Sequence, residues 1–264
     1  MPQRYAASVQ YKGTNYYGWQ SQHGLPTVAG MLEEAIAKIA NHKISIHCAG
    51  RTDKGVHAIS QVIHFDSPGK RDLHSWLFGI NRHLPHDISL DWIVPVDQTF
   101  HARFSASARR YIYLLCQSNA RPALGYQRMV WTYKALSATA MHQSAQCLLG
   151  EHDFSSFRSC KCQSETPFRK IHHIKVYTKN RLIIVDIKAN AFVHHMVRNI
   201  VGSLMEVGKG KKPVDWIRKI FAAKDRTQAG QTAPAEGLYL AGVSYPVVYQ
   251  LPERKSIVET ITCD

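Results

Sequence analysis

Two kinds of hydrophobic spacing alternate along this chain, and their order is what most restricts its fold. Tyr5, Ala7, Val9 and Tyr11 occupy every second position, the period of a half-buried strand, until Lys12-Gly13-Thr14-Asn15 breaks it. Thr27 is then placed to cap a helix whose apolar residues Val28, Met31, Leu32, Ala35, Ile36 and Ile39 recur at helical spacing, with an end near Asn41. Strands follow at Ile44–Cys48 and Gln61–Phe65. Leu73, Leu77, Ile80 and Leu84 mark a second helix, stopped by Pro85, and Leu90–Val94 reads as a closing strand. The order is β-α-β-β-α-β, the ferredoxin-like pattern.

After a polar joint at Ser105–Arg109 the order recurs. Strand Tyr111–Cys116, helix Leu136–Leu149, strands Ile171–Tyr177 and Leu182–Ile187, a long helix Phe192–Val207, a helical piece Val214–Phe221 and a last strand Leu238–Tyr245 follow in turn. The expectation is an α+β fold of two ferredoxin-like domains side by side, residues 1–106 and 107–264, with a cleft between them. Clefts of that kind favour small-molecule and nucleic-acid sites.

Composition narrows the partners. The 264 residues include 33 Lys or Arg against 19 Asp or Glu, a formal charge of +14, while 45% are hydrophobic, enough for a real core. A polyanion is the natural partner of such a surface. No stretch approaches the ~20 apolar residues of a membrane helix; Arg181–Asp186 is about as apolar as the chain becomes. Met1–Ser8 lacks the apolar region of a signal peptide. Cys48, Cys116, Cys147, Cys160, Cys162 and Cys263 form no spaced framework and suit a reducing compartment, so the expected location is the cytoplasm.

The chemistry concentrates in Ala49-Gly50-Arg51-Thr52-Asp53-Lys54-Gly55-Val56-His57-Ala58, between the second and third strands. Gly50 and Gly55 open backbone conformations closed to other residues and can present Asp53 at a tight turn. Arg51 or Lys54 could keep Asp53 ionised by Coulomb attraction, which suits a nucleophile or a general base. The plainer alternative is an Asx-turn with a solvated Arg-Asp pair.

Gly50–Ala58 resembles the signature loop of the tRNA pseudouridine synthase A (TruA) family, G-R-T-D-x-G-V-H-A. Tyr11–Gln20 resembles that family's opening. Phe100-His101-Ala102-Arg103-Phe104-Ser105-Ala106, with Arg109-Arg110-Tyr111-Ile112-Tyr113, resembles its crossing into the second domain. Phe192–Gly202 and Ala233–Leu240 resemble its C-terminal motifs, so five segments stand in family order between residues 11 and 240. Ala29, where the family usually has Gln, departs from the pattern, and Ser159-Cys160-Lys161-Cys162-Gln163 follows none.

The resemblance implies an isomerase that turns uridine into pseudouridine at tRNA positions 38, 39 and 40, in the anticodon stem-loop. It implies a homodimer with neither metal nor organic cofactor. By the same resemblance Asp53 is the catalytic carboxylate, and Arg51 assists base flipping. Tyr111 stacks on the flipped uracil, Arg198 pairs with the aspartate, and Leu238 walls the pocket. The implied tRNA contacts include Phe100, His101, Ala102, Arg103 and Phe104.

Residues Lys70-Arg71, Arg103 with Arg109-Arg110, Arg158 with Lys161, Arg169-Lys170 and Lys209-Gly210-Lys211-Lys212 are candidate phosphate contacts. Lys209–Lys212 is not a Walker loop. His152, His172-His173, His194-His195 and Cys160-x-Cys162 lack the paired spacing of a zinc site, and no metal is expected. The rival class is a non-catalytic basic RNA-binding protein or RNA chaperone, which would have no need of Asp53.

Overall fold

Thr27 does what its position in the sequence asks of it: its hydroxyl accepts from the Gly30 N–H, and Asn41 closes the same helix with a left-handed φ of 60°. The computed structural model describes residues 2–69 and 71–252, so the expectations placed on Lys70 and Cys263 lie outside the described residues. In chain order the elements are β1 (Gln3–Tyr11), α1 (Val28–Ala40), β2 (His47–Cys48), β3 (His57–Ser67), α2 (Leu73–His83), β4 (Ile88–Val96) and β5 (Ala108–Gln117). There follow β6 (Val130–Thr132), α3 (Ala138–Ala145), β7 (Gly150–Asp153), β8 (Phe168–Lys179), β9 (Leu182–Ala189), α4 (Met196–Gly208), α5 (Trp216–Ala223) and β10 (Leu238–Ser244). This is an α+β protein. Its described residues divide into two units, one running to Ser107 and resuming at Tyr239, the other from Ala108 to Leu238.

In the first unit the strands lie in the order β4-β1-β3-β10. β1 is antiparallel to both neighbours, β10 runs parallel to β3 through Tyr239 and Leu240, and β2 pairs with β3 at His64 and Ile63. Tyr5 to Val9 of β1 are all buried, where the alternation predicts one wet face. The reason is that both faces are covered. Tyr5 and Phe65 pack on Trp76 of α2 at 5.4 and 5.5 Å between ring centroids. On the other face Ala6, Val62 and Val96 close with Ala49, Phe100 and Ala102, against Tyr245 and Tyr249. The strand predicted over Ile44–Cys48 shrinks to His47–Cys48, and the third lengthens at both ends.

The second unit carries β5-β9-β8-β7, antiparallel throughout, with β6 parallel to β5. β6 and β7 escape a periodicity argument because three or four residues hold too little pattern. The helix expected at Leu136–Leu149 starts later, since Ser137 is its cap, and its last residues tighten into a 3-10 turn, Gln146–Leu148. The long helix begins at Met196 rather than Phe192, because His195 takes a left-handed φ of 63°. Phe192 therefore leaves the helical face it was to share with Met196 and Ile200; it meets Tyr111 edge-on at 5.0 Å.

His64, on β3, titrates in this core. Its Nδ1 accepts from the Ala102 N–H at 3.1 Å, and its ring packs against His47 and His101. Burial, then the charges of His101, His47 and Arg4, push it down from 6.5 to about 3, against the opposing pull of Asp66. The unfolded chain binds the proton that the folded one refuses. The stability carried by neutral His64 is thus complete above pH 6.5 and is lost as the pH falls toward 3. In urea titrations at pH 7 and 4.5, His64→Asn, which keeps an acceptor near the Nδ1 position, should lose less stability on acidification than the wild type. Equal losses would rule out His64 as the source.

Candidate active site

The Asp53 loop is held from below by its neighbours' backbone. A Cβ on Gly13 would lie 1.9 Å from the Val56 carbonyl oxygen, so only glycine admits this approach, and the Gly13 N–H donates to His57 Nδ1 at 3.0 Å. Gly18, at φ 89°, leaves a similar gap: a Cβ there would meet the Thr52 carbonyl at 2.8 Å. That carbonyl accepts from the Trp19 N–H at 2.9 Å, and the Thr52 hydroxyl bonds the buried Tyr11 hydroxyl at 2.7 Å. The segment Tyr11–Gln20 is therefore the bed on which the loop rests.

At the other end Gln61, wholly buried, donates to the Gly50 carbonyl at 2.5 Å and accepts from the Gly50 N–H at 3.3 Å. Between these anchors Val56 N–H closes a turn onto the Asp53 carbonyl at 3.1 Å, with Gly55 at φ 81°. Main chain closes the turn, and Asp53 sits half-buried on it. Arg51 is exposed, and Lys54 holds its ammonium 3.8 Å from the centre of the Tyr17 ring.

The Phe100–Phe104 segment sits beside the base of this loop, because Phe100 and Ala102 share a core cluster with Ala49. Arg4, paired with Asp66 at 2.8 Å, also donates to the Gln98 and Phe100 carbonyls at 2.7 and 2.9 Å. His101 Nδ1 accepts from the N–H groups of Arg103 and Phe104, while the His101 N–H donates to the Ser105 hydroxyl. The tight turn buries Phe100 and Ala102 and pushes Phe104 out to 76% exposure, with Arg103 over its ring. Of the five, these last two side chains face solvent; Arg71 is exposed as well.

In the second unit Tyr111 is a buried residue of β5, opposite Ile187. Arg198, on α4, donates from Nε to the Ala233 carbonyl at 2.7 Å, and its own carbonyl accepts from the Ala233 N–H. Neighbours on α4 grip the same segment. A Cβ on Gly202 would fall 1.7 Å from the Gln231 carbonyl oxygen, and Asn199 accepts from Thr232 and Arg226 at 2.7 and 3.0 Å. Tyr113, which sequence reasoning passed over, donates to the Pro234 carbonyl at 2.7 Å, and a Cβ on Gly237 would strike its ring at 2.7 Å. Burial and the Glu236 charge push its phenol well up, so it stays a neutral donor that fixes the approach to buried Leu238.

Several expected phosphate contacts are already engaged. Arg110 forms a fork on buried Asp186 at 2.8 and 2.5 Å, Lys209 pairs with Glu206 at 2.7 Å, and Arg169 is only 8% exposed. No helix among the described residues is long and apolar enough to cross a membrane.

A half-buried carboxylate fixed on a glycine-bordered loop of a strongly basic α+β protein is the build of an enzyme for a polyanionic substrate. Comparison with known proteins narrows the class. The tRNA pseudouridine synthase family model matches residues 7–105 and 144–246. A protein of Aeromonas salmonicida named tRNA pseudouridine synthase A is 52% identical over 95% of this chain and 93% of its own length. Namesakes from Photorhabdus laumondii and Escherichia coli O1:K1 are 51% and 52% identical over 94% of this chain, and over 94% and 92% of theirs. The chain belongs to the tRNA pseudouridine synthase A (TruA) family and is an isomerase.

Replacing Gln61 by Met keeps its bulk and leaves the Gly50 N–H and carbonyl without their partner. We expect a loss of about 1–3 kcal/mol in urea unfolding and a larger loss of activity than of tRNA affinity. Unchanged activity would show that the loop keeps its shape without the bracket.

Proposed function

We propose that this chain converts uridine to pseudouridine at positions 38, 39 and 40 of the tRNA anticodon stem-loop, with Asp53 as nucleophile on a uridine flipped out of the helix. The observation that carries the reading is the Asp53 turn, closed by main chain and anchored at both ends, which fixes a half-buried carboxylate in one place. The reaction breaks the N1–C1′ bond, rotates the uracil, forms C5–C1′, releases the C5 proton and returns a proton to N1. Its charge demand falls on a fixed carboxylate, and neither metal nor organic cofactor is called for.

Exposed Arg51 is the side chain that fills the gap left in the helix when the base leaves. Tyr111 stacks on the uracil, Leu238 walls it, and Arg198, braced on Ala233, pairs with the carboxylate. Arg71, Arg103 and Phe104 contact the tRNA directly, and Phe100, His101 and Ala102 act by shaping the turn. Each unit is ferredoxin-like, with β10 belonging to the first, and the enzyme works in the cytoplasm as a homodimer.

Asp53→Asn keeps the size of the side chain and removes its charge. Release of tritium from 5-tritiated uridine in tRNA should fall by more than about 10³-fold, with tRNA affinity retained. Near-normal release would sink the assignment, and binding without release by the wild type would favour the non-catalytic RNA-binding class. If six to eight phosphates are neutralised, the slope of log K against log salt should be roughly −4 to −7. A slope near zero would contradict the phosphate-contact reading.

A further inference from the structure

The segment Ser159–Gln163 is organised around a sulfur atom. Cys162 Sγ accepts from the His194 N–H at 3.3 Å, and the Ser159 N–H returns a bond to the His194 carbonyl at 3.0 Å. Arg158 donates from Nη2 to the carbonyls of Cys162 and Ser164. Arg169 reaches the same loop from the start of β8, donating to the Ser164 hydroxyl at 2.5 Å and to the carbonyls of Thr166 and Phe168. Arg169 as a whole is 8% exposed, and its Nε has no hydrogen-bond partner among the described residues. The two guanidiniums thus donate to four carbonyls and a hydroxyl of this loop and its flank.

The Cys162 sulfur, among these donors, is a group that can carry negative charge. Burial pushes the Cys162 thiol up, but the N–H groups of His194 and Ser164 and the Arg158 guanidinium outweigh it and hold the thiol below its ordinary value. Other cysteines go the opposite way: burial pushes Cys48 up to about 12 and raises Cys147. Cys160 lies two residues off, exposed, on a turn closed by Cys162 N–H to the Ser159 carbonyl at 3.0 Å.

We propose that Cys162 is a hydroperoxide-reactive thiol and that Cys160 resolves its oxidised form into a disulfide within the loop. The Cys162 thiolate attacks one peroxide oxygen; the S–O bond forms, the O–O bond breaks, and hydroxide leaves to be protonated to water. The Cys160 sulfur then attacks Cys162, displacing the hydroxyl, which departs as a second water with the Cys160 proton. Two thiols lose two electrons in all, and one peroxide is reduced to two waters. The arginines hold the first thiolate, and the turn keeps the second thiol close.

The test uses the full-length protein. At neutral pH iodoacetamide should label Cys162 about tenfold faster than the more exposed Cys160. With hydrogen peroxide and dimedone, the wild type should become lighter by two hydrogens, with Cys160 and Cys162 joined in the peptide map and no dimedone adduct. Cys160→Ser should carry one dimedone on Cys162, and Cys162→Ser should carry none and form no loop disulfide. Labelling of Cys160 as fast as Cys162, or a dimedone adduct on wild-type Cys162, would overturn the proposal.

Discussion

The approach of the Gly13 backbone to the Val56 carbonyl governs the architecture around Asp53. A methyl group at residue 13 would penetrate that carbonyl, so the end of β1 and the end of the loop can meet only as bare backbone. Once they meet, the Gly13 N–H needs an acceptor, and His57 Nδ1 supplies it. His57 is the first residue of β3, so the loop's exit is registered on the sheet, and the ring of Tyr239 of β10 packs tilted against the same imidazole at 4.7 Å. Thr52 is caught between Tyr11 and Trp19 on the same bed. Asp53 inherits its position from partners on either side, which is how a short loop can hold a charged group in one place.

The second unit repeats the device with other residues. α4 receives the Gly230–Ala233 segment through Gly202, where the Gln231 carbonyl occupies the space a Cβ would need, and through Asn199 and Ser203. Arg198 closes the contact with both its Nε and its carbonyl. Within the motif Phe192–Gly202, which reads as a run of family residues, lies a docking surface: Asn199 and Gly202, with Ser203 just beyond, hold a segment, and Arg198 is aimed by it.

What the sequence discloses follows the range of the interaction. Thr27 and Asn41 act within four residues, and the helix ends they imply are found. Asp53 is legible because its glycines and cations are its neighbours in the chain. Gln61 and Tyr113 are not: their partners are Gly50 and Pro234, 11 and 121 residues away, and neither breaks a local pattern. The two-sided burial of β1 is hidden for the same reason, since its second cover comes from Phe100, Ala102 and Tyr245. The helix start at Met196 is lost to one left-handed residue, His195, that no apolar spacing announces.

Charge shows most sharply where counting fails. A formal +14 suggests a coat of phosphate contacts, yet many arginines turn inward onto carbonyls. Arg4 spans Gln98 and Phe100, Arg109 takes Asn190, and Arg158 takes Cys162 and Ser164. Arg169 takes Thr166 and Phe168, and Arg198 takes Ala233. A guanidinium offers five donors in a rigid plane, so one side chain can hold two turns of a loop that has no ladder of its own. Lysine carries the same charge with one compact head and cannot brace in that way. The arginine content therefore serves two ends that a net charge adds together: some side chains, Arg51, Arg71 and Arg103 among them, stand exposed, and others hold loops.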